Sequence, residues 1–259
     1  MQATSALYQE LLSSRHWKET RLAIGETGKL ITKLGDSITF GGTRILVGSS
    51  GADGGFDEGT LISMSTYSRM FAEDKPSVGG CISGEIKVEM LRPLGDIPRQ
   101  ARMVPYVRLT DGTRRSEWIQ KGVYFIDTRE LIEDGSGIER LTIHGYDAML
   151  KTEQAYPSST LSWPATDIQV VREIAEFIDV PVDSRTAAIM TRGYKVQYPG
   201  EYTCREVLGY IAAMYAGCFV MSDLGELRLI ALNSIPPETR YLVTNTNDII
   251  TFGGDRILV

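Results

Sequence analysis

Hydrophobic positions follow helical spacing at the start of the chain and then change to short, alternating runs. Residues 4–15 carry leucine and tyrosine pairs four positions apart, which predicts an amphipathic helix capped by Thr4 or Ser5. From about Arg21 to Tyr146 the apolar runs are short, and glycine and aspartate interrupt them. The runs predict these strands: Ile38–Phe40, Arg44–Val47, Leu61–Tyr67, Ile86–Leu91, Met103–Leu109, Trp118–Asp127 and Arg140–Tyr146.

The segments between these strands carry turn signals. Asp111-Gly112 is typical of a hairpin turn, and the sequence from Glu133 to Gly137 predicts a longer loop. Within one run, Ile86 and Val88 alternate with charged residues, as in a strand with one buried face. Many strands with tight turns favour a tube-like β-barrel or sandwich.

A second pattern begins after Pro157. Thr166 and Gln169 form a capping box ahead of apolar residues at helical spacing, and Val180-Pro181 is expected to end that helix. Thr203 and Glu206 form a second capping box ahead of another helix.

The second of these helices is followed by hairpin signals. Gly217 is expected at a left-handed C-cap, and Cys218–Ser222 and Leu227–Leu232 are expected to form a hairpin around residues 223–226. The chain is therefore predicted to be mainly β with α+β character. The predicted units are an N-terminal helix (1–18), a β-rich tube-like domain (19–156), a small α/β domain with two helices and a hairpin (157–235), and a last segment (236–259).

One decapeptide occurs twice. Residues 38–47 (ITFGGTRILV) return as residues 250–259 (ITFGGDRILV), with nine of ten positions identical. One interpretation is a β-bend-β element that begins two related β-domains, with Phe40 and Phe252 in equivalent positions. The other is a pair of equivalent strands within one sheet. The second copy reaches Val259, so the first interpretation predicts that the chain is the N-terminal part of a longer protein, with residues 236–259 as the start of a second β-domain.

Composition limits the classes of function. The 259 residues are 42% hydrophobic and carry a net charge of −6, which is typical of a globular protein and does not indicate a nucleic-acid binder. No apolar stretch approaches the ~20 residues that span a bilayer, and the N-terminus lacks the pattern of a secretory signal, so we expect a soluble, unsecreted protein. The odd set Cys81, Cys204 and Cys218 has no CxxC spacing, which favours buried thiols over a disulfide or zinc site.

Several local patterns resemble chemical motifs but lack what the chemistry needs. Gly25–Lys29 is too short for a phosphate loop, and residues 48–55 match no nucleotide or nucleophile motif. The sequence contains two histidines, His16 and His144, which excludes a histidine-rich metal centre.

The remaining titratable candidates also have simpler interpretations. His144 and Asp147 have no nucleophile or metal partner in the sequence pattern. Asp53, Asp57 and Glu58 lack calcium-loop spacing, and Arg114-Arg115 is expected at a solvated hairpin tip. No catalytic, cofactor-binding or metal-binding residue is assigned, and no cofactor is expected.

Longer segments resemble a known class of protein. They are residues 71–88 (FAEDKP through GEIKV), 97–106 (IPRQARMVPY), 116–127 (SEWIQKGVYFID), 141–150 (LTIHGYDAML) and 204–213 (CREVLGYIAA). These segments resemble the N-terminal region of tail-tip hub proteins of phages and prophages of Gram-positive bacteria. They are also similar to the central baseplate hub of contractile-tailed phages and to the N-terminal part of tail-associated lysins.

The resemblance implies a structural, ring-forming, homotrimeric virion protein rather than an enzyme. Its implied partners are further copies of itself, the tail-tube or distal tail protein, the tape-measure protein, and a fibre or lysin segment, while DNA passes through the lumen without specific binding. A β-rich module that binds a cell-surface glycan is the alternative, with Trp17, Trp118 and Trp163 as candidate contacts. A peptidoglycan hydrolase is a third hypothesis, and it lacks the residues for such chemistry.

Overall fold

The structure is a computed structural model of the 259-residue chain. It describes residues 4–25, 28–29, 39–40, 43–44, 46–47, 56–71, 75, 77–93, 97, 100–133, 135, 137–232, 251–252 and 255–256. No helix in these ranges is long and apolar enough to cross a membrane.

The chain is mainly β, with a few helices, as predicted. The helices are α1 (Ala6–Leu12), α2 (Asp167–Phe177), α3 (Ser184–Ile189) and α4 (Cys204–Met214), with a 3-10 helix at Ala148–Glu153. The strands of the large sheet and its surroundings are β1 (Trp17–Ile24), β2 (Gly28–Lys29), β3 (Thr39–Phe40), β4 (Thr43–Arg44), β5 (Leu46–Val47), β6 (Leu61–Tyr67), β7 (Glu85–Leu91), β8 (Arg102–Thr110), β9 (Ile119–Gln120), β10 (Tyr124–Glu133) and β11 (Glu139–Asp147). The later strands are β12 (Ala165–Thr166), β13 (Lys195–Val196), β14 (Gly217–Met221), β15 (Leu227–Ala231), β16 (Thr251–Phe252) and β17 (Asp255–Arg256).

One antiparallel sheet dominates the first half of the chain. Its order is β1-β8-β10-β11-β7-β6, with β9 paired to β8. The inward residues of β7, which are Ile86, Val88 and Met90, are fully buried, as their alternation predicted. They pack with Leu22, Met103 and residues of β10 and β11 in one apolar core.

Of the two predicted forms, a tube-like β-barrel or a sandwich, the barrel is not closed in the described strands. β1 and β6 form the two edges of the sheet, and they are not paired with each other. Leu22 of β1 instead forms an isolated bridge of two hydrogen bonds with Phe56, which precedes β6 in the chain. A sheet with one core face leaves its edges open unless further pairing closes it.

The predicted strand Trp118–Asp127 is in fact two strands. β9 ends at Gln120 and β10 begins at Tyr124, and Gly122 between them has φ 121°. A Cβ at Gly122 would lie 2.4 Å from the ring of Tyr124, so glycine is required at this break.

The small unit has its own core and one more helix than predicted. Its core packs α2 and α4 against the β14–β15 hairpin and also takes in Cys81 and Met149, which lie outside residues 157–235. The unpredicted α3 is short, and its N-cap is Asp183, whose side chain accepts a hydrogen bond from the backbone amide of Arg185. α2 ends at Phe177, ahead of the expected Val180-Pro181, because Asp179 takes the left-handed conformation with φ 59°.

The predicted start of the helix that follows Thr203, α4, is confirmed, but its predicted end is not. The Thr203–Glu206 capping box is present, with the Glu206 amide donating to Thr203 Oγ1 at 3.2 Å and the Thr203 amide donating to Glu206 Oε2 at 2.8 Å. The predicted C-cap at Gly217 is wrong: Ala216 has the positive φ, 47°, and Gly217 is the first residue of β14.

The two copies of the decapeptide pair in the same way. Thr39 pairs with Arg44 as Thr251 pairs with Arg256, and Phe40 and Phe252 have matching partners in β4 and β17. The two short hairpins form separate sheets, so in the described ranges the copies do not pair with each other. The glycine bends within the copies, residues 48–55 and most of residues 236–259 lie outside the described residues.

Candidate assembly surfaces

The β10–β11 hairpin extends beyond the core of the large sheet. β10 pairs with β8 through Tyr124 and Phe125, and the register to β11 shifts between Ile126 and Thr128. Every residue from Asp127 to Glu133 is exposed, although β11 continues to pair with them. β8 begins at Arg102, the partner of Phe125, so the outer half of β10 extends past the end of β8 and the hairpin forms a projecting arm.

The projecting arm is apolar on both faces. Leu131 and Ile132 are adjacent, so their side chains point to opposite faces of the strand, yet they are 48% and 47% exposed. Ile138 in the loop is also 47% exposed. Exposed apolar residues on both faces of a strand are typical of a surface that another chain covers.

A groove runs beside the arm. It has a volume of about 840 Å³, and Leu91, Ile97, Leu131, Ile138 and Leu141 supply its apolar lining. The Arg129 guanidinium donates a hydrogen bond to the carbonyl of Ile97, and Arg92 Nη1 lies 2.6 Å from Glu139 Oε2 at the outer end. These contacts tie the described residues that follow β7 to the arm.

A second exposed surface carries tyrosines of the small unit. Tyr198, Tyr202 and Tyr210 are 50%, 49% and 59% exposed. The Tyr202 and Tyr210 rings meet edge to face at 5.5 Å, and Tyr198 meets Trp163 in the same way at 5.4 Å. Aromatic side chains of this kind are enriched in protein interfaces and also stack on sugars.

Asp147 lies between the large sheet and the small unit. Its carboxylate accepts hydrogen bonds from the amides of Gly84 at 2.7 Å and Met149 at 3.0 Å. Arg205 of α4 donates to Ser83 Oγ at 3.0 Å and to the carbonyl of Met149 at 3.0 Å. Burial raises the pKa of Asp147 from 3.8 to about 7, against the opposing effect of these amides and of the Arg205 charge.

Two of the sequence candidates for acid–base chemistry are not brought together. His144 and Asp147 are three residues apart on one strand, so their side chains point to opposite faces. His144 Nε2 lies 3.5 Å from Glu85 Oε2, whereas Asp147 turns inward to the backbone. The pair therefore performs no joint proton transfer in this geometry.

The loop and hairpin-tip candidates have structural partners. Asp57 accepts a hydrogen bond from the Gly59 amide at 3.1 Å and Glu58 is exposed, while Asp53 lies outside the described residues. Arg114 Nη1 lies 2.8 Å from Glu10 Oε1, and Arg115 Nε lies 3.3 Å from Glu19 Oε1. In the described part of the chain, no group of three or more histidine, cysteine, aspartate or glutamate residues has the geometry to hold a metal ion.

The cysteines are buried thiols, as predicted. Cys81, Cys204 and Cys218 are all free and buried. Burial raises the pKa of the Cys81 thiol to about 12 and that of Cys204 to about 11. Both thiols therefore stay protonated at neutral pH.

The three tryptophans do not share one surface. Trp163 packs against the core of the small unit, whereas Trp118 lies under the Arg108 guanidinium at 4.3 Å from the ring centroid. Trp17, in β1 of the large sheet, is 53% exposed and has Arg15 5.7 Å above its ring.

Sequence reasoning missed the arm and the tyrosines. The prediction ended the strand at Asp127, because residues 128–133 show no apolar alternation. The loop at residues 133–137 was the available signal, since a hairpin loop requires a paired strand directly before it. Tyr198 and Tyr202 lie in an irregular segment with no periodicity, so no pattern pointed to them.

Comparison with known proteins gives matches among solved structures alone. No protein-family model and no curated protein sequence matches the chain. The 43 kDa tail protein of prophage MuSo2 from Shewanella oneidensis matches with a TM-score of 0.47 and 14% identity over 83% of this chain and 56% of its own. A tail protein from Neisseria meningitidis MC58 matches with a TM-score of 0.46 and 11% identity over 82% of this chain and 51% of its own.

A third structure, the half-lidded Francisella PdpA-VgrG complex, matches with a TM-score of 0.43 and 9% identity. That match covers 82% of this chain and 31% of the matched chain. The chain thus spans about half or less of the length of the proteins it matches. These likenesses are partial, and the matched structures are a prophage tail protein, a second tail protein and a VgrG complex.

Proposed function

We propose that this chain is a structural, non-enzymatic subunit of a phage or prophage tail-tip or baseplate hub. In this role, copies form a ring that connects the tail tube to the distal tip or fibre. The location of the resembling segments carries the proposal. Residues 71–88, 97–106, 116–127 and 141–150 contribute to β7, β8, β9–β10 and β11, which form the continuous middle of one sheet. The resemblance therefore follows a packed unit rather than scattered loops.

The proposed partners follow from this role. They are two further copies of the chain in a homotrimer, the tail-tube or distal tail protein, the tape-measure protein, and a fibre or lysin segment. DNA would pass through the lumen without specific binding, and a net charge of −6 is compatible with that because like charges repel. The protein would act in the virion and be present in the host cytoplasm before assembly.

The division into an N-terminal helix (1–18), a tube-like domain (19–156), a small α/β domain (157–235) and a last segment (236–259) belongs to the same proposal. The separate apolar cores of the large sheet and the small unit support two units. The identical pairing of the two decapeptides supports a second β-element that begins like the first.

Light scattering tests the proposal through the oligomeric mass. The hub role predicts a trimer for the full-length protein, and a monomer or weak oligomer of the 28.7 kDa chain for these 259 residues alone. A full-length protein that stays strictly monomeric at tens of micromolar would contradict the proposal. Cell-wall hydrolysis by the chain would contradict its non-enzymatic part.

Glycan binding is the second candidate function, and one observation favours it. Tyr198 is half-exposed beside Trp163, which gives the small unit an aromatic surface of the kind that stacks on sugar rings. Binding of cell-wall glycan fragments, measured by calorimetry and lost in Tyr198→Ala, would support this function. Equal binding by the wild type and the variant would contradict it.

A further inference from the structure

We propose that the outer half of β10, from Thr128 to Glu133, pairs with β6 of a second copy, so that the sheet continues from one copy to the next. The inference rests on the proposed ring and specifies its contact. On the side opposite β11, the Ile126 amide donates to the carbonyl of Ala101 at 3.1 Å, and beyond Ile126 no described strand pairs with β10. An open edge of this kind is a template for another extended chain.

The backbone groups that face this open edge follow from the hydrogen bonds of the sheet. The Arg92 amide donates to the Glu139 carbonyl at 3.1 Å, so Glu139 faces β7. Successive residues of a strand face opposite neighbours, so Arg140 faces β10 and its partner Ile132 faces β11. The residues of the outer half of β10 that point away from β11 are therefore Arg129, Leu131 and Glu133.

The outer edge of β6 is the matching element. The Leu91 amide donates to the carbonyl of the residue before β6 at 2.9 Å, so Leu91 and then Glu89 face β6. Ser63, the partner of Glu89, faces β7 in turn, which leaves Met64 and Thr66 pointing outward. β6 is exposed along most of its length, and Ile62 is 45% exposed.

The topology of the sheet sets the direction of the proposed pairing. Three antiparallel pairings separate β10 from β6, namely β10–β11, β11–β7 and β7–β6, so the two strands run in opposite directions within one copy. A second copy generated by rotation about an axis parallel to the strands presents its β10 antiparallel to β6 of the first. Because the two edges differ, the contact is head-to-tail and can repeat around a ring, which self-pairing of β10 cannot do.

Side-chain chemistry is compatible with this contact. Leu131 and Ile132 on the arm and Ile62 on β6 supply exposed apolar area next to the backbone groups. β6 carries no charged residue, so the carboxylates of Glu130 and Glu133 meet no like charge from its side chains.

Disulfide trapping tests the contact. The native cysteines are buried, so only the introduced cysteines are accessible for cross-linking. Leu131→Cys is mixed with Ile62→Cys, Met64→Cys or Thr66→Cys in separate reactions, oxidised, and analysed on non-reducing gels with mass spectrometry of the joined peptides. Leu224→Cys, at a turn position that is 51% exposed, replaces Leu131→Cys in the matched control reactions. We expect one β6 position to cross-link to Leu131→Cys well above this control, and the position two residues earlier in the chain to cross-link to Glu133→Cys.

Three results would overturn the pairing. The first is efficient cross-linking of Leu131→Cys to itself. The second is a parallel pattern, in which Glu133→Cys cross-links to a β6 position later in the chain than the one favoured by Leu131→Cys. The third is cross-linking yields no higher than those of Leu224→Cys. The cysteine substitutions are made in the full-length protein, for which the ring is proposed, and light scattering on the same samples separates the two proposals. Association without the cross-link refutes the β10–β6 contact alone, whereas a strict monomer for the full-length protein refutes the ring as well.

A substitution at one position tests the backbone part of the contact. Leu131→Pro removes an amide that points away from β11, so the fold should tolerate it as edge strands tolerate proline. We expect self-association to weaken about tenfold relative to Leu131→Thr, as the loss of one interface hydrogen bond implies. Equal association of the two variants, at equal unfolding temperatures, would contradict a backbone pairing at Leu131.

Discussion

Replacing Gly217 by alanine should destabilise the small unit because β15 leaves no room for a side chain. A Cβ at Gly217 would lie 2.5 Å from the carbonyl oxygen of Ile230 and 3.0 Å from the Cα of Ala231. Both are backbone atoms, so the strands must separate to admit the methyl group. The Gly217 carbonyl also accepts the Gly79 amide at 2.7 Å, and a shift would weaken that bond. Overpacking of this kind costs about 2 kcal/mol, which corresponds to a drop in Tm of about 4–8 °C.

Thermal unfolding followed by circular dichroism measures the effect against two matched variants. Gly135→Ala places its methyl group where no atom lies within 4 Å and should change Tm little. Ala216→Gly relieves the left-handed backbone at φ 47° and should leave stability unchanged or raise it by up to about 1 kcal/mol. The steric reasoning is refuted if Gly217→Ala unfolds at the same temperature as Gly135→Ala. A clear loss of stability in Ala216→Gly would refute the assignment of the helix end.

The remaining predictions concern the helix cap and the buried carboxyl group. Thr203→Ala should lower the free energy of unfolding by about 0.5–2 kcal/mol, whereas Thr203→Ser should retain most of it, as measured by urea denaturation. Because burial raises the folded-state pKa of Asp147 from 3.8 to about 7, the folded state retains a proton that the unfolded chain releases near pH 4. The stability contributed by that proton is complete below pH 3.8 and is lost as pH rises to about 7. Over this range, the unfolding free energy of the wild type should therefore fall relative to that of Asp147→Asn. A difference that stays constant with pH would contradict the raised pKa.

Local sequence signals were reliable where the interaction itself is local. The Thr203–Glu206 box closes within four residues, and its two hydrogen bonds form as the sequence predicts. The alternation in Ile86–Leu91 identified a strand and its buried face, since a period of two is a property of the strand alone. The hairpin of β14 and β15 was likewise predicted from two apolar runs on either side of a short turn.

Contacts between distant segments decided the rest. Gly217 was expected to permit a left-handed turn, but its role depends on the approach of β15, which no local pattern reports. The exposed arm arises because β8 begins at Arg102 and pairs with β10 only at Tyr124 and Phe125, whereas β11 continues along β10 to Glu133. The sequence by itself therefore determined a mainly β chain with capped helices and buried thiols. The tertiary structure decided that the described sheet stays open, and it decided which of its edges project. Strand pairing depends on partner strands that the local sequence does not specify.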